Sequence, residues 1–490
     1  MPPAMVLSTL TAGIPERQIV GDASLPIGDV VHRSDRAAPG ALFCCLPGVA
    51  ADGHDFAVDA VARGASALLV ERRLPVDVAQ VVVPDSRLAM ALIAAEWEGH
   101  PSARLRTIGI TGTNGKTTSS FLLQSILRQA GYGCGLIGTI EVQVGGIAES
   151  VAHTTPESVG LQRLLARMVQ AGDLACVMEV SSHALMQQRV AGVRFSAALF
   201  TNLTRDHLDY HASLEEYYAA KRRLFLRPEH EGENPPAAVN ADDEFGRRLG
   251  READALTYGI EGSADVRVEQ ARLRPDGIWA RIATPRGPLE VDSPLRARFN
   301  LSNLTGCIAV AELLELDHDH VVAGIAAVSG VAGRLEPIDC GQPFQVLVDY
   351  AHTPDSLENV LRAARELAGE GRLGVVFGCG GDRDRGKRGP MGRAVKRLAD
   401  YGVVTSDNPR GEDPDEIISE IVAGAGAGPA ELEIEEDRRD AIARVLRWAR
   451  EGDVVVIAGK GHETGQERGG VVTPFDDRDV ARGELKQEYA

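Results

Sequence analysis

The chain has 490 residues, of which 44% are apolar and 25% charged, and its formal net charge is −18. This length predicts about three domains of ~150 residues each, and the composition is that of a globular protein with several hydrophobic cores. The acidic balance argues against a nucleic-acid-binding protein, because affinity for a phosphate backbone requires a basic surface. No basic stretch followed by a sustained apolar run opens the chain, and no apolar run approaches the ~20 residues of a membrane helix. Seven scattered cysteines, none in a CxxC pair, favour reduced, buried thiols in a cytoplasmic protein without membrane insertion.

The first predicted domain covers residues 1–104. Short apolar segments at Ala41–Leu46 and Ala65–Val70 are separated by Pro/Gly turns, and a helical pattern at Leu88–Glu98 ends at a Gly-His-Pro sequence. Such Gly/Pro-rich sequences are typical of linkers. The second predicted domain, residues 105–332, then opens with a strand and alternates strands with helices.

The third predicted domain covers residues 333–490 and begins within a Gly/Pro-rich boundary segment, Gly330–Pro343. Its predicted strands are Val346–Tyr350, Leu373–Phe377, Tyr401–Thr405 and Val454–Ala458. Its predicted helices are Ser356–Leu367, Met391–Asp400, Pro414–Val422 and Arg438–Glu451, with a flexible Ala/Gly loop at 423–428. Apolar strands that alternate with amphipathic helices predict an α/β fold with mostly parallel sheets, Rossmann-like in this last domain.

A phosphate-binding loop follows the first strand of the second domain. The strand Thr107–Ile110 continues into Thr111–Thr118 (TGTNGKTT), and a helix then runs to Gly131. Glycines let backbone N–H groups converge on phosphate oxygens, and the helix N-terminus adds a positive dipole. One departure is Ile110, which stands where the general pattern has glycine. The alternative is a tight turn before an ordinary helix, but the flanking strand and helix favour ATP binding.

Glu179 interrupts a buried strand near its carboxyl end, in Ala175–Val180. Ligands of open α/β sheets bind beyond the carboxyl ends of strands, so this carboxylate is a candidate for the Mg²⁺ of a bound nucleotide. By itself it would more often be a strand-end residue. The phosphate-binding loop in the same domain reverses that preference.

Two further candidates follow in the second domain. Asp206 and His207 lie in Asn202–His211 (NLTRDHLDYH) and offer metal ligands, although a lone histidine in a loop is usually structural. Lys221 falls within an apolar stripe of Leu214, Tyr217, Tyr218, Leu224 and Phe225. Lys221 either extends its amine to solvent or is desolvated, in which case it could react with CO₂ to give a carbamate ligand for Mg²⁺. The spacing does not choose between these readings.

The ordered set of motifs resembles the Mur ligases over essentially the whole chain. The motifs are GTNGKTT (112–118), EVSSH (179–183), NLTRDHLDYH (202–211), DYAHTP (349–354), GKGHE (459–463) and the segment around Lys221. The resemblance implies an ATP-dependent ligase of peptidoglycan synthesis, with one domain each for a uridine nucleotide, ATP and an amino acid. It is strongest for the branch that extends UDP-MurNAc-L-Ala-D-Glu through an acyl phosphate. A monomer whose partners are small-molecule substrates is expected.

The resemblance also implies roles for residues at the nucleotide site. ATP contacts are implied for Gly112, Thr113, Asn114, Gly115, Lys116, Thr117, Thr118, Asn303 (adenine), Arg334 (phosphates) and Asp349 (ribose). Thr117 and Glu179 would bind one Mg²⁺, and His207 with carbamylated Lys221 a second. Lys116, Glu179, His207 and Lys221 are the implied catalytic residues. Without the resemblance, Asn303, Arg334 and Asp349 read as a loop amide, a linker arginine and a strand-end turn.

For the uridine substrate, the resemblance implies contacts from Ser34, Thr154, Thr155, Ser181, Gln187 and Arg189. The family usually has Asp-Ser-Arg around the serine, whereas this chain has Arg33-Ser34-Asp35, so the charges are exchanged. Val49–Ala51 would form a further uridine loop that makes contact through its backbone.

The identity of the added amino acid is predicted from loops that follow three strands of the third domain. The implied contacts are Arg383, Asp407, Asn408, Pro409, Arg410, Gly459 and Glu463. Arg410 suits the distal carboxylate of meso-diaminopimelate and Glu463 its distal ammonium. L-lysine lacks that carboxylate. The alternatives are a lysine-adding Mur ligase, a folylpolyglutamate-type ligase, and a nucleotide-dependent switch or scaffold.

Overall fold

A computed structural model describes residues 3–48, 51–150, 153–208, 210–228 and 233–489. Val49 and Ala50 of the expected uridine loop and Asp209 of the NLTRDHLDYH motif lie outside these ranges. Three sheets with flanking helices follow one another along the chain, and we call the parts that carry them the N-terminal, central and C-terminal units. The predicted α/β class with mostly parallel sheets is confirmed.

The N-terminal unit is built on a sheet of order β2-β7-β6-β5-β4, in which β4 to β7 are parallel and β2 is antiparallel. Its strands are β1 (Met5–Val6), β2 (Gln18–Val20), β3 (Pro26–Ile27), β4 (Asp29–Val31), β5 (Ala41–Cys44), β6 (Ala67–Val70) and β7 (Ala79–Val82). Its helices are α1 (Leu7–Leu10), α2 (Ala57–Ala62) and α3 (Ser86–Trp97). Helix α3 begins where the Asp85 carboxylate accepts a hydrogen bond from Leu88 N (2.9 Å), an N-cap that satisfies an otherwise unpaired donor.

The central unit has a sheet of order β11-β10-β9-β12-β8-β13-β14-β15-β16-β17-β18, parallel from β9 to β16 and antiparallel at both edges. Its strands are β8 (Arg106–Thr111), β9 (Cys134–Ile137), β10 (Val142–Val144), β11 (Ile147–Glu149), β12 (Ala175–Glu179), β13 (Ala197–Phe200), β14 (Ala237–Asn240), β15 (Leu256–Gly259), β16 (Val266–Arg274), β17 (Gly277–Ala283) and β18 (Leu289–Ser293). Its helices are α4 (Lys116–Gln129), α5 (Ser158–Gln170), α6 (Ser182–Met186), α7 (Leu214–Arg222), α8 (Glu244–Ala253), α9 (Arg298–Leu313) and α10 (His318–Ala326). Helices cover both faces, so β8, β12 and β13 are almost wholly buried.

The C-terminal unit has a sheet of order β19-β20-β24-β21-β22-β23, parallel except for β19. Its strands are β19 (Glu336–Pro337), β20 (Gln345–Asp349), β21 (Leu373–Phe377), β22 (Tyr401–Val404), β23 (Glu431–Ile434) and β24 (Val454–Ala458), followed by the hairpin β25 (Gly465–Arg468) and β26 (Val471–Pro474). Its helices are α11 (Pro354–Ala368), α12 (Arg388–Leu398), α13 (Pro414–Ala425), α14 (Arg438–Trp448) and α15 (Asp477–Tyr489). Adjacent parallel strands place their carboxyl-end loops at one edge.

Two details of the sequence interpretation are wrong. The predicted loop at 423–428 is helical as far as Ala425. Helix α13 ends there, because the next residue, Gly426, has a positive φ of 70°. Helix α7 ends at Arg222, so Leu224 and Phe225 are buried beyond its end, while Leu214 is 37% exposed and not part of the buried stripe. The buried-thiol prediction is confirmed, since the cysteines are free and all but Cys340 are buried. In the described part of the chain, no helix has the length and apolar character needed to cross a membrane.

Candidate functional site

The phosphate-binding loop connects β8 to α4 in the centre of the central sheet. Gly115 has a left-handed φ of 87°, and the Asn303 side chain fills the space that a β-carbon there would need. The Lys116 ammonium donates to the carbonyl oxygens of Gly112 (3.0 Å) and Thr113 (2.9 Å), and burial lowers the pKa of Lys116. The loop therefore presents the start of α4, with its unpaired N–H groups, to an anion.

Glu179 lies at the carboxyl end of β12, beside β8, and is fully buried. One of its carboxylate oxygens accepts hydrogen bonds from the Thr117 hydroxyl (3.2 Å) and the Thr139 hydroxyl (3.0 Å), and the other from Thr139 N (2.9 Å). Arg334, at the start of the C-terminal unit, donates to the same Thr117 hydroxyl (3.0 Å). A hydroxyl and a carboxylate oxygen side by side are hard oxygen ligands of the kind that Mg²⁺ takes.

Lys221 is buried, with 1% of its surface exposed. Its Nζ donates to the carbonyl oxygen of Gly112 (2.8 Å), the same oxygen that Lys116 contacts, and lies 4.4 Å from the centre of the Tyr217 ring. Burial and the neighbouring Lys116 hold the pKa of Lys221 well below its ordinary value. The uncharged amine is thereby favoured, and this is the form that can react with CO₂.

His207 adjoins the same aromatic side chain as Lys221, since its ring centre is 6.0 Å from that of Tyr217. Although 40% of its side chain is exposed, desolvation lowers its pKa to about 4, against the opposing pull of Asp206 at 3.4 Å. A neutral imidazole is the form that binds metals. No group of three or more His, Cys, Asp or Glu side chains is placed to hold a metal within the described ranges, so a cation would need phosphate or carbamate oxygens as well.

A second group of expected contacts lies beside Glu179 in the central unit. It comprises Thr154, Thr155, Ser181, Gln187 and Arg189. Thr155 donates from its hydroxyl to the Glu179 carbonyl (2.9 Å), and Arg189 donates to the Thr155 carbonyl (2.8 Å) and the Gln187 amide oxygen (2.7 Å). Ser181 caps α6 through Ala184 N (3.2 Å). The structure thus brings these five residues together next to the phosphate-binding loop.

Ser34 lies in the N-terminal unit, in a short 3₁₀ turn (Ser34–Arg36). The exchanged charges on either side of it pair with each other. Arg33 donates to Asp35 from Nε (3.0 Å) and Nη2 (2.7 Å), and both side chains are more than half exposed. The departure from the family pattern therefore forms a surface ion pair across Ser34.

The expected amino-acid contacts lie on loops that follow β21, β22 and β24. The Asn408 amide donates to a Glu463 carboxylate oxygen (2.9 Å), which joins the loop after β22 to the loop after β24. Gly459 has a positive φ of 121°, and a β-carbon there would collide with the buried Asp407 carboxylate. Only glycine therefore allows these two loops to approach so closely.

Arg410 has a left-handed φ of 52°, which turns it back over the loop after β21. Its guanidinium donates to the Gly381 carbonyl (2.9 Å) and lies 3.3 Å from the Glu467 carboxylate of the β25–β26 hairpin. The preceding Pro409 accepts a hydrogen bond from Glu412 N (3.0 Å). Arg383 is exposed, and its guanidinium donates to the carbonyl of its neighbour Asp382 (3.4 Å).

Asp349 ends β20, and both of its carboxylate oxygens accept backbone hydrogen bonds, one from its own turn and one from the segment before β19. They accept from Leu335 N (2.7 Å) and Ala351 N (2.8 Å), and burial raises the pKa of Asp349 to about 6. The bond from Ala351 N fits the alternative interpretation of Asp349 as a strand-end turn residue, whereas the bond from Leu335 N joins this turn to a segment outside it. Its contact with a ribose stays a prediction.

Two residues at the site were not singled out in the sequence. Asp355 accepts hydrogen bonds from the Asn114 amide (3.0 Å) and the Thr204 hydroxyl (3.0 Å), so it links the C-terminal unit to the phosphate-binding loop. Lys460 is fully buried beside Asn408 and Glu463. Lys460 lies inside the GKGHE motif and Asp355 directly after DYAHTP, so their positions were the available signal.

Comparisons with known proteins agree along the whole chain. Models of the Mur ligase family catalytic domain, the Mur ligase middle domain and the Mur ligase glutamate ligase domain match residues 27–108, 110–311 and 333–461. The chain is 45% identical over 488 residues, 99% of this chain and 100% of the relative, to the UDP-N-acetylmuramoyl-L-alanyl-D-glutamate--2,6-diaminopimelate ligase of Geobacillus thermodenitrificans.

Solved structures show the same architecture. One of a UDP-N-acetylmuramoyl-L-alanyl-D-glutamate--2,6-diaminopimelate ligase is 32% identical and superimposes with a TM-score of 0.71, covering 99% of this chain and 100% of that one. The MurF ligase of Thermotoga maritima in complex with ADP shares the fold, at 18% identity and a TM-score of 0.63, covering 94% of this chain and 97% of that one. The family models and the identity across the full length show that this chain belongs to the Mur ligase family.

Proposed function

We propose that this chain is an ATP-dependent ligase that joins meso-2,6-diaminopimelate to UDP-N-acetylmuramoyl-L-alanyl-D-glutamate in peptidoglycan synthesis. Relatives of that name match it over nearly their full length. The observation that carries the choice of amino acid is the presence of Arg410 and Glu463 on neighbouring loops of the C-terminal sheet. An arginine and a carboxylate complement the carboxylate and ammonium at the distal end of diaminopimelate. L-lysine offers no carboxylate to Arg410, which would then keep only its contacts with the Gly381 carbonyl and the Glu467 carboxylate.

We infer a division of labour among residues 1–104 for the uridine nucleotide, 105–332 for ATP and 333–490 for the amino acid. Support comes from the three sheets, each of which falls in one of these ranges. All the proposed partners are small molecules, namely ATP, the UDP-linked dipeptide and diaminopimelate. A cytoplasmic monomer is the working proposal.

The proposed chemistry proceeds through an acyl phosphate. The dipeptide's terminal carboxylate attacks the γ-phosphate of ATP and ADP leaves, which converts a poor acyl donor into a good one. The amine of diaminopimelate then attacks the acyl carbon, and phosphate leaves as the amide forms. Lys116 and Arg334, which both lie beside Thr117 at the start of α4, would hold the phosphates and offset the repulsion between the two anions.

Thr117 with Glu179, and His207 with Lys221 as its carbamate, would hold the proposed magnesium ions. Their fit rests on the adjacent oxygens of Thr117 and Glu179, and on the depressed pKa values of His207 and Lys221. When bound, Mg²⁺ supplies positive charge that neutralises the phosphate oxygens. Desolvation favours the uncharged His207 imidazole, which can bind a metal, and the uncharged Lys221 amine, which can react with CO₂.

The test measures phosphate release from ATP with the UDP-linked dipeptide present and meso-diaminopimelate, L-lysine or no amino acid added. We expect strong stimulation by diaminopimelate alone, with a tripeptide product identified by mass. Stimulation by lysine would keep the ligase and refute the role of Arg410. Stimulation by neither would refute the proposed function and favour the nucleotide-dependent switch.

A further inference from the structure

Lys460 is a cation enclosed beneath the proposed amino-acid site. None of its surface is exposed, and its Nζ donates to the Asn408 amide oxygen (3.0 Å) and lies 3.4 Å from the Glu463 carboxylate. The Asn408 side-chain oxygen also accepts a hydrogen bond from Glu467 N (3.0 Å). The NH₂ group of Asn408 therefore faces Glu463. Lys460 thus contacts Glu463, the proposed partner of the substrate's distal ammonium, and Asn408, a second proposed amino-acid contact.

The charges around Lys460 are nearly all buried. Arg438 and Asp477 form an ion pair with 0% of either side chain exposed. Asp407 is the remaining buried carboxylate. Burial by itself raises the pKa of Asp407, but Arg438, Lys460, Lys387 and His352, in decreasing order, outweigh it and leave the pKa below its ordinary value. Lys460 therefore shares with Arg438 the compensation of the Asp407 charge and lies against the Glu463 carboxylate.

We propose that Lys460 is a positioning and specificity-determining residue, which aligns Asn408 and Glu463 and whose charge disfavours an amino acid with a bare distal ammonium. The proposal rests on the proposed function, because it concerns the choice between diaminopimelate and lysine at that site. Lys460 is not a catalytic residue in this scheme, since it contacts the substrate only through its neighbours.

The physical reason is the charge balance of the subsite. Without Lys460, Glu463 would lose its neighbouring cation and Asp407 one of its compensating charges, so the subsite would become more negative and attract any ammonium group. With Lys460 present, a bare ammonium meets a compensated pocket and also faces the Arg410 guanidinium. Diaminopimelate supplies a carboxylate for Arg410 and keeps the favourable pairing with Glu463. Specificity therefore depends on a repulsive charge as well as on an attractive one.

The experiment compares kcat/KM for meso-diaminopimelate and for L-lysine in Lys460→Met, Lys460→Gln and the unsubstituted enzyme. We expect KM for diaminopimelate to rise, KM for ATP to stay constant, and the ratio of diaminopimelate to lysine kcat/KM to fall about tenfold or more. Lys396→Met is the matched control, because it removes a lysine on α12 that donates to the Ala430 carbonyl, and it should leave the ratio unchanged.

A purely structural lysine would lower both kcat/KM values in proportion, and an unchanged ratio would overturn the proposal. If Lys460→Met does not fold, Lys460→Gln decides the question by the same ratio, because it keeps a polar side chain with a hydrogen-bond donor and removes the charge. The unsubstituted enzyme separates the two hypotheses. Inactivity with diaminopimelate would defeat the proposed function, whereas an active enzyme with an unaltered ratio in the variants would defeat the role of Lys460 alone.

Discussion

Lys221 in the central unit and Lys460 in the C-terminal unit are both buried lysines, with 1% and 0% of their surfaces exposed. Their partners differ. Lys221 faces the carbonyl oxygen of Gly112 and the neighbouring Lys116, whereas Lys460 faces the Asn408 amide and the Glu463 carboxylate. A buried amine beside another cation tends to lose its proton, while one beside carboxylates supplies positive charge. The same residue type is thus suited to covalent modification at one site and to electrostatic positioning at the other.

The largest effect is expected from a substitution of Lys221, which tests whether its amine is modified. Lys221→Arg cannot form a carbamate and places a permanent positive charge at this site, so we expect kcat to fall about 10²- to 10³-fold, as when one electrostatic group at a transition state is removed. Phosphate release measures this loss, and ¹³C NMR in labelled bicarbonate should show a carbamate signal only in the unsubstituted enzyme. Wild-type activity in Lys221→Arg would show that the amine needs no modification.

Arg410→Ala tests the amino-acid site beside Lys460. The guanidinium is the proposed partner of the distal carboxylate, so its loss should raise KM for diaminopimelate about 30- to 100-fold and leave KM for ATP unchanged. Steady-state kinetics with each substrate varied in turn measure both constants. Arg393→Ala is the control, because Arg393 is an arginine of α12 that donates to the Gly424 carbonyl. Equal effects of the two substitutions would contradict the assignment.

Asp355→Asn tests whether the contact between the central and C-terminal units contributes to catalysis. Asp355 accepts from Asn114 and Thr204 across the units, and bonds to a charged acceptor are the stronger kind, so we expect kcat to fall about tenfold. Small-angle scattering should also show a more open particle. Glu358→Gln on the same helix is the control, because Glu358 pairs with Arg362 and Arg397 within the C-terminal unit. An unchanged kcat would mean that the contact is dispensable.

The smallest effect is a pH dependence of stability at His462. Burial, Arg334 and Arg478 lower its pKa from 6.5 to about 4, so between these pH values the unfolded chain binds a proton that the folded chain does not. Stability is therefore lost as the pH falls from 6.5 towards 4. In His462→Gln, the loss of unfolding free energy between pH 7 and pH 4.5 should shrink by about 1–2 kcal/mol.

Urea unfolding at the two pH values measures this difference. His100→Gln is the matched control, because the exposed His100 pairs with Glu96 on the surface. The assignment fails if both variants keep the acid sensitivity of the unsubstituted protein.

The local pattern of apolar and turn residues was enough to predict much of the fold and part of the site. Strands such as Leu373–Phe377 and Val454–Ala458 have the predicted bounds, because a short apolar run between turn residues has few alternatives. The end of α13 was predicted too early, because a run of Ala and Gly residues is compatible both with a loop and with the last turn of a helix. Leu214 was misjudged because spacing does not say which end of a stripe faces solvent.

By itself, the sequence determined the α/β class, the phosphate-binding loop and the family, since each depends on residues close together in the chain or on their order. Only the tertiary structure decided which side chains meet. Asn114 and Asp355 are 241 positions apart, and Lys460 reaches Asn408 across 52. The difference between Lys221 and Lys460 arises from such long-range neighbours, because burial and nearby charges set the behaviour of an amine and neither is encoded in its local spacing.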